Sequence, residues 1–411
     1  MQRALRTLLL AFICLAGAGW AFAADAHTSV HEIREILRTR LFPPPEEAEL
    51  QALTPNNLAQ GLEQLDPYAR YFSAENSPQA ILSDNQLPRI GAQLFEDNGQ
   101  VLLSPFSTGP MAQAGVSERV ELLEINGHSI QGRDLHDIAA ILSGEPDSLV
   151  LLRIRPWSKA KTQTLAVVRS SFRPLDVELI HAPEQPVLRI RQFMAGQTRS
   201  ALKASIDFLD CKDGPLIIDL REAGGGDLFE ALDCAALFVP QGKLLGGLMT
   251  RESGKSMVSS PSGDKASMPV VLLTGPDTAS AAEVFAAALA YHGRAELIGR
   301  PTFGKCTTQT EVTLSDGSVL RFTNGQILGP EGQECWSSGL VPDVLVSEDV
   351  LYDLQYLLDQ AKALSGHFEL PFCVPGEVKE KAQAKGMRLC SRTFTWLYKP
   401  GLRWVCKERE H

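Results

Sequence analysis

The clearest pattern of apolar and polar positions lies at residues 270–299. Val270 to Leu273 is a short apolar run closed by Thr274, Gly275 and Pro276, as expected of a strand buried on both faces of a parallel sheet. Ser280 through Tyr291 reads as a helix dominated by Ala, with Val284, Phe285 and Leu289, so it should pack closely on its neighbours rather than face water. A second strand is expected from Ala295. Leu216 to Leu220 is another short buried strand, running into Arg221-Glu-Ala-Gly-Gly-Gly226, where glycines allow positive φ and close backbone approach. Thr307 to Leu314 and Val319 to Phe322 form a predicted hairpin across Ser315-Asp316-Gly317-Ser318.

Elsewhere the period changes. His31 to Arg40 places Ile33, Ile36 and Leu37 on one helical face, and Leu58 to Leu65 reads as a second helix. From about Pro88 to Phe172 the chain becomes short strands with Gly and Pro turns and one helix near Leu135 to Leu142. Leu351 to Leu364 is helical again, followed by a stretch with Cys373, Cys390, Cys406 and two Trp.

With 411 residues, 44% hydrophobic and 21% charged, the chain is globular and long enough for two or three domains. Residues 1–23 have a basic start (Arg3, Arg6), an apolar run from Thr7 to Trp20 and a small-x-small site at Ala21-Phe22-Ala23, the layout of a secretory signal peptide. The formal charge of −10 becomes about −12 once these residues are removed, which argues against nucleic acid or an anionic membrane surface as partner. Of eight cysteines one, Cys14, lies in the leader, leaving an odd set of seven for an oxidising compartment. Cys306 with Cys335, and Cys211 with Cys234, are two plausible pairs, although sequence does not fix connectivity. No C-x-x-C and no Cys/His cluster points to a metal.

In open α/β sheets ligands bind beyond the carboxyl ends of strands, and Ser280 stands at such a strand-to-helix junction. A serine needs a base to become a nucleophile. His292, twelve positions along the same helix, lies roughly 18 Å away and cannot serve. A lysine is a further possibility: Lys305 lies 25 residues on in a Gly-flanked loop, where a βαβ-like unit would bring the chain back beside the first junction. A second reading stands beside this one: Ser280-Ala281-Ala282-Glu283 also fits an ordinary capping box, and Lys305 a solvated loop lysine. G-x-S-x-G is absent, and neither the dinucleotide nor the P-loop glycine pattern is met, with Phe229 and Met249 at required glycine positions.

The stretch resembles the carboxyl-terminal processing proteases, peptidase family S41. The family's small residues around the nucleophile, a Glu three residues later, an H-G-R-like segment and T-F-G-K correspond to Ala279-Ser280-Ala281-Ala282-Glu283, His292-Gly293-Arg294 and Thr302-Phe303-Gly304-Lys305. Leu65-Asp66-Pro67-Tyr68 with Arg70-Tyr71-Phe72 resembles the family's L-D-P-[HY]-S-x-Y-[LF], and Arg221 to Gly226 its D-L-R-N-N-P-G-G, with Gly224 in place of Pro. Gly109 to Gly115 and Leu122-Leu-Glu-Ile-Asn-Gly127 resemble PDZ blocks, with Arg119-Val120 where Gly-Asp is usual, and Cys306 stands where the family has Gly.

The resemblance implies an α/β fold with a ClpP/crotonase-like ββα core, an inserted PDZ domain and a helical N-terminal segment. The expected division is a signal peptide at 1–23, the helical segment at 24–87, the PDZ domain at 88–172, the serine protease core at 173–350 and a Cys-containing extension at 351–411. It implies a periplasmic or secreted serine endopeptidase, cut after about Ala23, in which Ser280 is the nucleophile, Lys305 the general base and Gln309 the residue that orients the base. Backbone N–H groups of Gly225 and Ala281 are the expected oxyanion donors, and Ile90, Gly91 and Ala92 the expected carboxylate-binding loop of the PDZ domain. No cofactor or metal is expected. Partners should be protein or peptide substrates, with an adaptor and a homo-oligomer left open. The alternatives are an inactive PDZ-bearing scaffold, suggested by Gly224, Cys306 and the altered loop, and a crotonase-like acyl-CoA enzyme, which an export signal disfavours.

Overall fold

The computed structural model describes residues 30–74, 89–97, 99–156, 161–181, 186–209, 215–261, 268–335 and 337–365, with two short strands, Thr395–Leu397 and Val405–Lys407. The expected signal peptide and most of the extension lie outside the described residues. The chain divides into two compact units: one of residues up to 85 with 247–256 and 307–328, the other of the remainder.

In the first unit the helical period foreseen in the sequence gives helices over residues 30–40 and Leu58–Leu65, and a further short helix, Glu47–Ala52, not foreseen there, lies between them. Their apolar faces, through Ile33, Leu37, Leu50 and Leu62, bury against Leu314, Leu320 and Phe322 of the hairpin. The hairpin strands are Thr307–Thr313 and Val319–Leu328, and the second also pairs antiparallel with Arg70–Phe72. Asp66, 5% exposed, explains the Leu-Asp-Pro segment: its carboxylate accepts from Thr323 N at 2.7 Å, Thr323 Oγ1 at 3.0 Å and Tyr68 N at 2.9 Å, so a buried acid turns the chain from helix into sheet.

The second unit holds two six-stranded sheets. Residues 92–168 form an antiparallel sheet in the order Ala92–Asp97, Gln100–Pro105, Val120–Ile125, Leu149–Pro156, Gln163–Val168, with His128–Ser129 on the third strand and a helix at Leu135–Leu142. Its own core runs through Ile90, Leu103, Ile125, Ile138, Leu152 and Val167. The other sheet runs Val344–Leu345, Ala295–Gly299, Val270–Thr274, Leu216–Asp219, Pro186–Ile190, Val177–His181; all neighbours are parallel save the last pair. Both expected central strands are buried along their whole length, as parallel strands covered on two faces must be. One cover is the helix Leu354–Ser365, whose Leu357, Leu358 and Ala361 meet Val187, Ile217, Leu273 and Ile298. Phe285 of the helix Ala281–Tyr291 packs at 5.5 Å from Phe193 and 6.2 Å from Phe238, while the alanines around it let the neighbouring helix approach.

Candidate active site

Ser280 sits where the strand Val270–Thr274 turns into the helix Ala281–Tyr291. The turn is stitched down on the residues after the neighbouring strand. Thr278 Oγ1 donates to Leu220 O at 2.8 Å and accepts from Gly275 N at 3.0 Å, and Ala279 N donates to Ala223 O at 2.9 Å. At the tip Ser280 has φ 55° and ψ −122°. An ordinary N-cap serine adopts the extended region at no cost, whereas this conformation suits glycine and costs an L-residue about 1–3 kcal/mol. The other described non-glycine residues at positive φ are Asn126 and Asp147, types that tolerate it. The capping box of Ser280 and Glu283 read in the sequence is present, and the strained backbone of its half-buried serine sets this turn apart from a cap in the extended region.

Glu283 joins that turn to the loop carrying Lys305. Its side chain is fully buried, and each oxygen serves two donors. Oε2 accepts from Ser280 N at 2.8 Å and Lys305 N at 2.9 Å; Oε1 accepts from Gly304 N at 2.7 Å and from Thr302 Oγ1. The backbones of Ser280 and Lys305 thus meet at one carboxylate oxygen, which is the return predicted for the loop. Phe303 N also donates to Thr278 O at 2.9 Å, fixing loop to turn a second time. The sequence showed Glu283 only as a motif member and capping-box residue. Its acceptance of two further backbone N–H groups from residues 304 and 305 was not legible there.

The glycine turn lies against the same serine. Gly225 has φ 109°, and a Cβ placed on it would fall 2.9 Å from Ser280 Cβ and 3.2 Å from Ala281 N, so only glycine fits. Gly225, Ser280 and Ala281 are therefore in mutual contact, as an oxyanion site built from the N–H groups of 225 and 281 requires. A buried ion cluster props the turn from behind. Asp219 bonds to Arg221 (2.7 and 2.8 Å) and Arg189 (3.0 Å), and although burial alone would raise its pKa, the two guanidinium groups hold it well below the usual carboxylate range.

The other expected site residues fall as follows. Gln309 lies in the first unit, on the strand Thr307–Thr313, donating from Nε2 to Thr307 Oγ1 at 2.9 Å. Ile90, Gly91 and Ala92 form the turn into the edge strand Ala92–Asp97; Ile90 O accepts from Met111 N, and Gly91, at φ 69°, packs on Gly109-Pro110. Among the described residues no cluster of His, Cys, Asp and Glu could hold a metal ion.

Cys306 and Cys335 are joined, with Cα atoms 5.3 Å apart, as one of the two proposed pairs required. The other pair is corrected: Cys234 is a free thiol, fully buried in the helix Leu228–Ala235, where burial pushes its pKa up, and Cys211 lies outside the described residues. The bridge begins one residue past Lys305 and ends two before Ser337, whose carbonyl lies against Gly304. We expect reduction, or a Cys306→Ser/Cys335→Ser variant, to lower kcat several-fold and to cost a few kcal/mol of stability, about 2–4 being usual for such a bridge. Peptide kinetics with and without dithiothreitol read this directly; unchanged kcat with both thiols free would contradict it.

Residues 186–346 match the family model described as Peptidase family S41. A probable CtpA-like serine protease of Staphylococcus epidermidis (strain ATCC 12228) is 30% identical over 305 residues, covering 72% of this chain and 60% of that protein. The carboxy-terminal processing protease CtpA of Bacillus subtilis (strain 168) is 29% identical over 300 residues, 71% of this chain and 63% of that protein. The chain thus spans less than two thirds of the length of these relatives. Among solved structures, the photosystem II D1 C-terminal processing protease superposes with a TM-score of 0.58 at 22% identity, covering 82% of this chain and 97% of that one. A putative S41 protease from Bacteroides fragilis gives 0.56 at 17% identity, with the same coverage. These two likenesses concern the fold, which is a mixed α/β fold of the S41 protease kind. Over residues 186–346, the chain is similar to peptidase family S41.

Proposed function

We propose that the protein is an exported serine endopeptidase that cuts protein chains near unstructured C-termini, with Ser280 as nucleophile and Lys305 as base. The observation that carries this reading is the Glu283 carboxylate shared by the Ser280 and Lys305 amides, beside a serine in strained backbone geometry. In the forward step Ser280 Oγ bonds to the scissile carbonyl carbon while neutral Lys305 takes the hydroxyl proton. The carbonyl oxygen becomes the oxyanion, held by the N–H groups of Gly225 and Ala281. Collapse breaks the C–N bond, and Lys305 returns its proton to the leaving amine. Water then attacks the acyl ester, with Lys305 again taking and returning the proton. Gln309 orients the base. No cofactor enters this scheme.

Residues 88–172 are read as a PDZ domain and residues 173–350 as a ClpP/crotonase-like protease core, preceded by a helical segment at 24–87. Support for the former comes from the antiparallel sheet, the helix Leu135–Leu142 and the open edge of the strand Ala92–Asp97, at which an extended substrate tail can add as a further strand. Because that recognition rests on backbone pairing and the loop at Ile90, Gly91 and Ala92 departs from the usual glycine pattern, a free carboxylate should matter only modestly. Amidating the C-terminus of a tailed substrate is expected to raise KM by less than about tenfold, or 1.4 kcal/mol. Complete loss of cleavage on amidation would show instead that the terminal carboxylate dominates recognition.

Digestion of casein by the purified mature chain tests the function. Cleavage by wild type and none by Ser280→Ala is the expected result. A chain inert toward casein that still binds C-terminal peptides would be a scaffold rather than a protease.

A further inference from the structure

Arg119 stands in the loop before the strand Val120–Ile125, at a position where the PDZ blocks it resembles carry glycine. Its side chain is 3% exposed, with the guanidinium between the rings of Phe95, at 4.4 Å, and Tyr352, at 4.3 Å. Nη1 donates to Asp277 Oδ2 at 2.7 Å and to the Tyr352 hydroxyl, and lies 3.8 Å from Glu222 Oε1. The two carboxylates sit at matched places. Asp277 is three residues before Ser280, and Glu222 three before Gly225. Glu222 is itself a departure, since the family segment has Asn there, so two unusual residues meet as a buried pair. Glu222 is further held by Arg191 Nη1 at 2.7 Å and by Ser104 Oγ, and Arg191 Nη2 donates to Pro105 O at 2.6 Å. Burial pushes the Glu222 carboxyl up, but Arg191, Arg189, the Ser104 hydroxyl and Arg119 bring it below the usual range, so the cluster is ionic.

We propose that Arg119 is a positioning residue for catalysis: from the sheet of residues 92–168 it pins the Ser280 turn through Asp277 and the glycine turn through Glu222, fixing nucleophile and oxyanion donors relative to each other. A planar cation stacked between two rings is held in one orientation, which sets a single nitrogen, Nη1, within reach of both acids. The ammonium of a lysine keeps the charge and loses the planar stacking that orients the donor. A role limited to neutralising buried acids would be met by either side chain, and that difference makes the inference testable. It rests on the reading of Ser280 as nucleophile.

The test uses the full mature chain with three readouts: kcat and KM on a short peptide, the melting midpoint, and amide hydrogen exchange at residues 222–227 and 275–281. Arg119→Lys is expected to melt close to wild type and keep KM within about twofold, while kcat falls about tenfold or more and exchange in both turns quickens. Arg119→Met/Asp277→Asn, which leaves no carboxylate at 277 facing an absent cation, is expected to show the same kcat loss. Wild-type kcat in Arg119→Lys, or a kcat loss with exchange unchanged in both turns, would overturn the proposal. If wild type itself cleaves nothing, or Ser280→Ala cleaves equally well, the protease reading fails instead; the exchange readout then decides the anchoring by itself, quickened exchange in both turns supporting it and unchanged exchange refuting it.

Discussion

Lys305→Arg should cleave peptide no faster than Ser280→Ala, with both at least about 10³-fold below wild type. A free lysine titrates near 10.4, whereas a base working at neutral pH needs a value of about 7–8, and three units correspond to roughly 4 kcal/mol of differential stabilisation. A lysine can meet that demand by losing its proton in a partly dry site, and Lys305 is half-buried in a loop held on the serine turn. A guanidinium stays protonated at any working pH, so the substitution keeps a long basic side chain but removes the base. Initial rates on a short fluorogenic peptide check this. Cleavage by Lys305→Arg within tenfold of wild type would remove Lys305 from the base role.

Glu283→Gln is expected to be nearly as damaging, although it changes one atom. In the native site each carboxylate oxygen accepts two donors, Ser280 N with Lys305 N at one and Gly304 N with Thr302 Oγ1 at the other. A glutamine offers one accepting oxygen and an NH₂ that can only donate, so whichever way the amide is turned, two buried donors face a third. Each unsatisfied donor costs about 1–3 kcal/mol, and a displacement of about 1 Å between nucleophile and base is enough for roughly 10²-fold in rate. We expect kcat to fall by about 10² or more and the melting midpoint to fall with it. Glu283→Gln with wild-type kcat would mean that the carboxylate does not hold the site together.

Much of this architecture was legible because its signals are local. The apolar run Val270 to Leu273, the alanine-rich helix after it and the Asp-Gly hairpin each fix an element by period or turn chemistry, and the structure has them within a few residues of the expected bounds. The strand expected at Val319–Phe322 runs on to Leu328, because Thr323, Gly325 and Gln326 pair with Gln309, Thr308 and Thr307, and Gly325 to Leu328 pair with Thr250 to Gly247, with Asn324 at a bulge. The contacts on which the proposed function rests were less visible. Glu283 reads as a helix cap, and nothing in the sequence says that residues 304 and 305 return to it. Arg119 and Glu222 look like two unrelated departures until folding buries them together. The Cys306–Cys335 pair could be guessed from strands that fold back on each other, while the same guess for Cys234 failed because that side chain faces the core.

The central claim is that Ser280 is an activated nucleophile with Lys305 as its base. Reaction of the mature protein with a fluorophosphonate, followed by peptide mass mapping, tests it most directly. The account predicts a single covalent adduct on Ser280 in wild type, formed far more slowly in Lys305→Arg and absent in Ser280→Ala. An adduct on another residue, or a Ser280 adduct formed equally fast without the lysine, would contradict it.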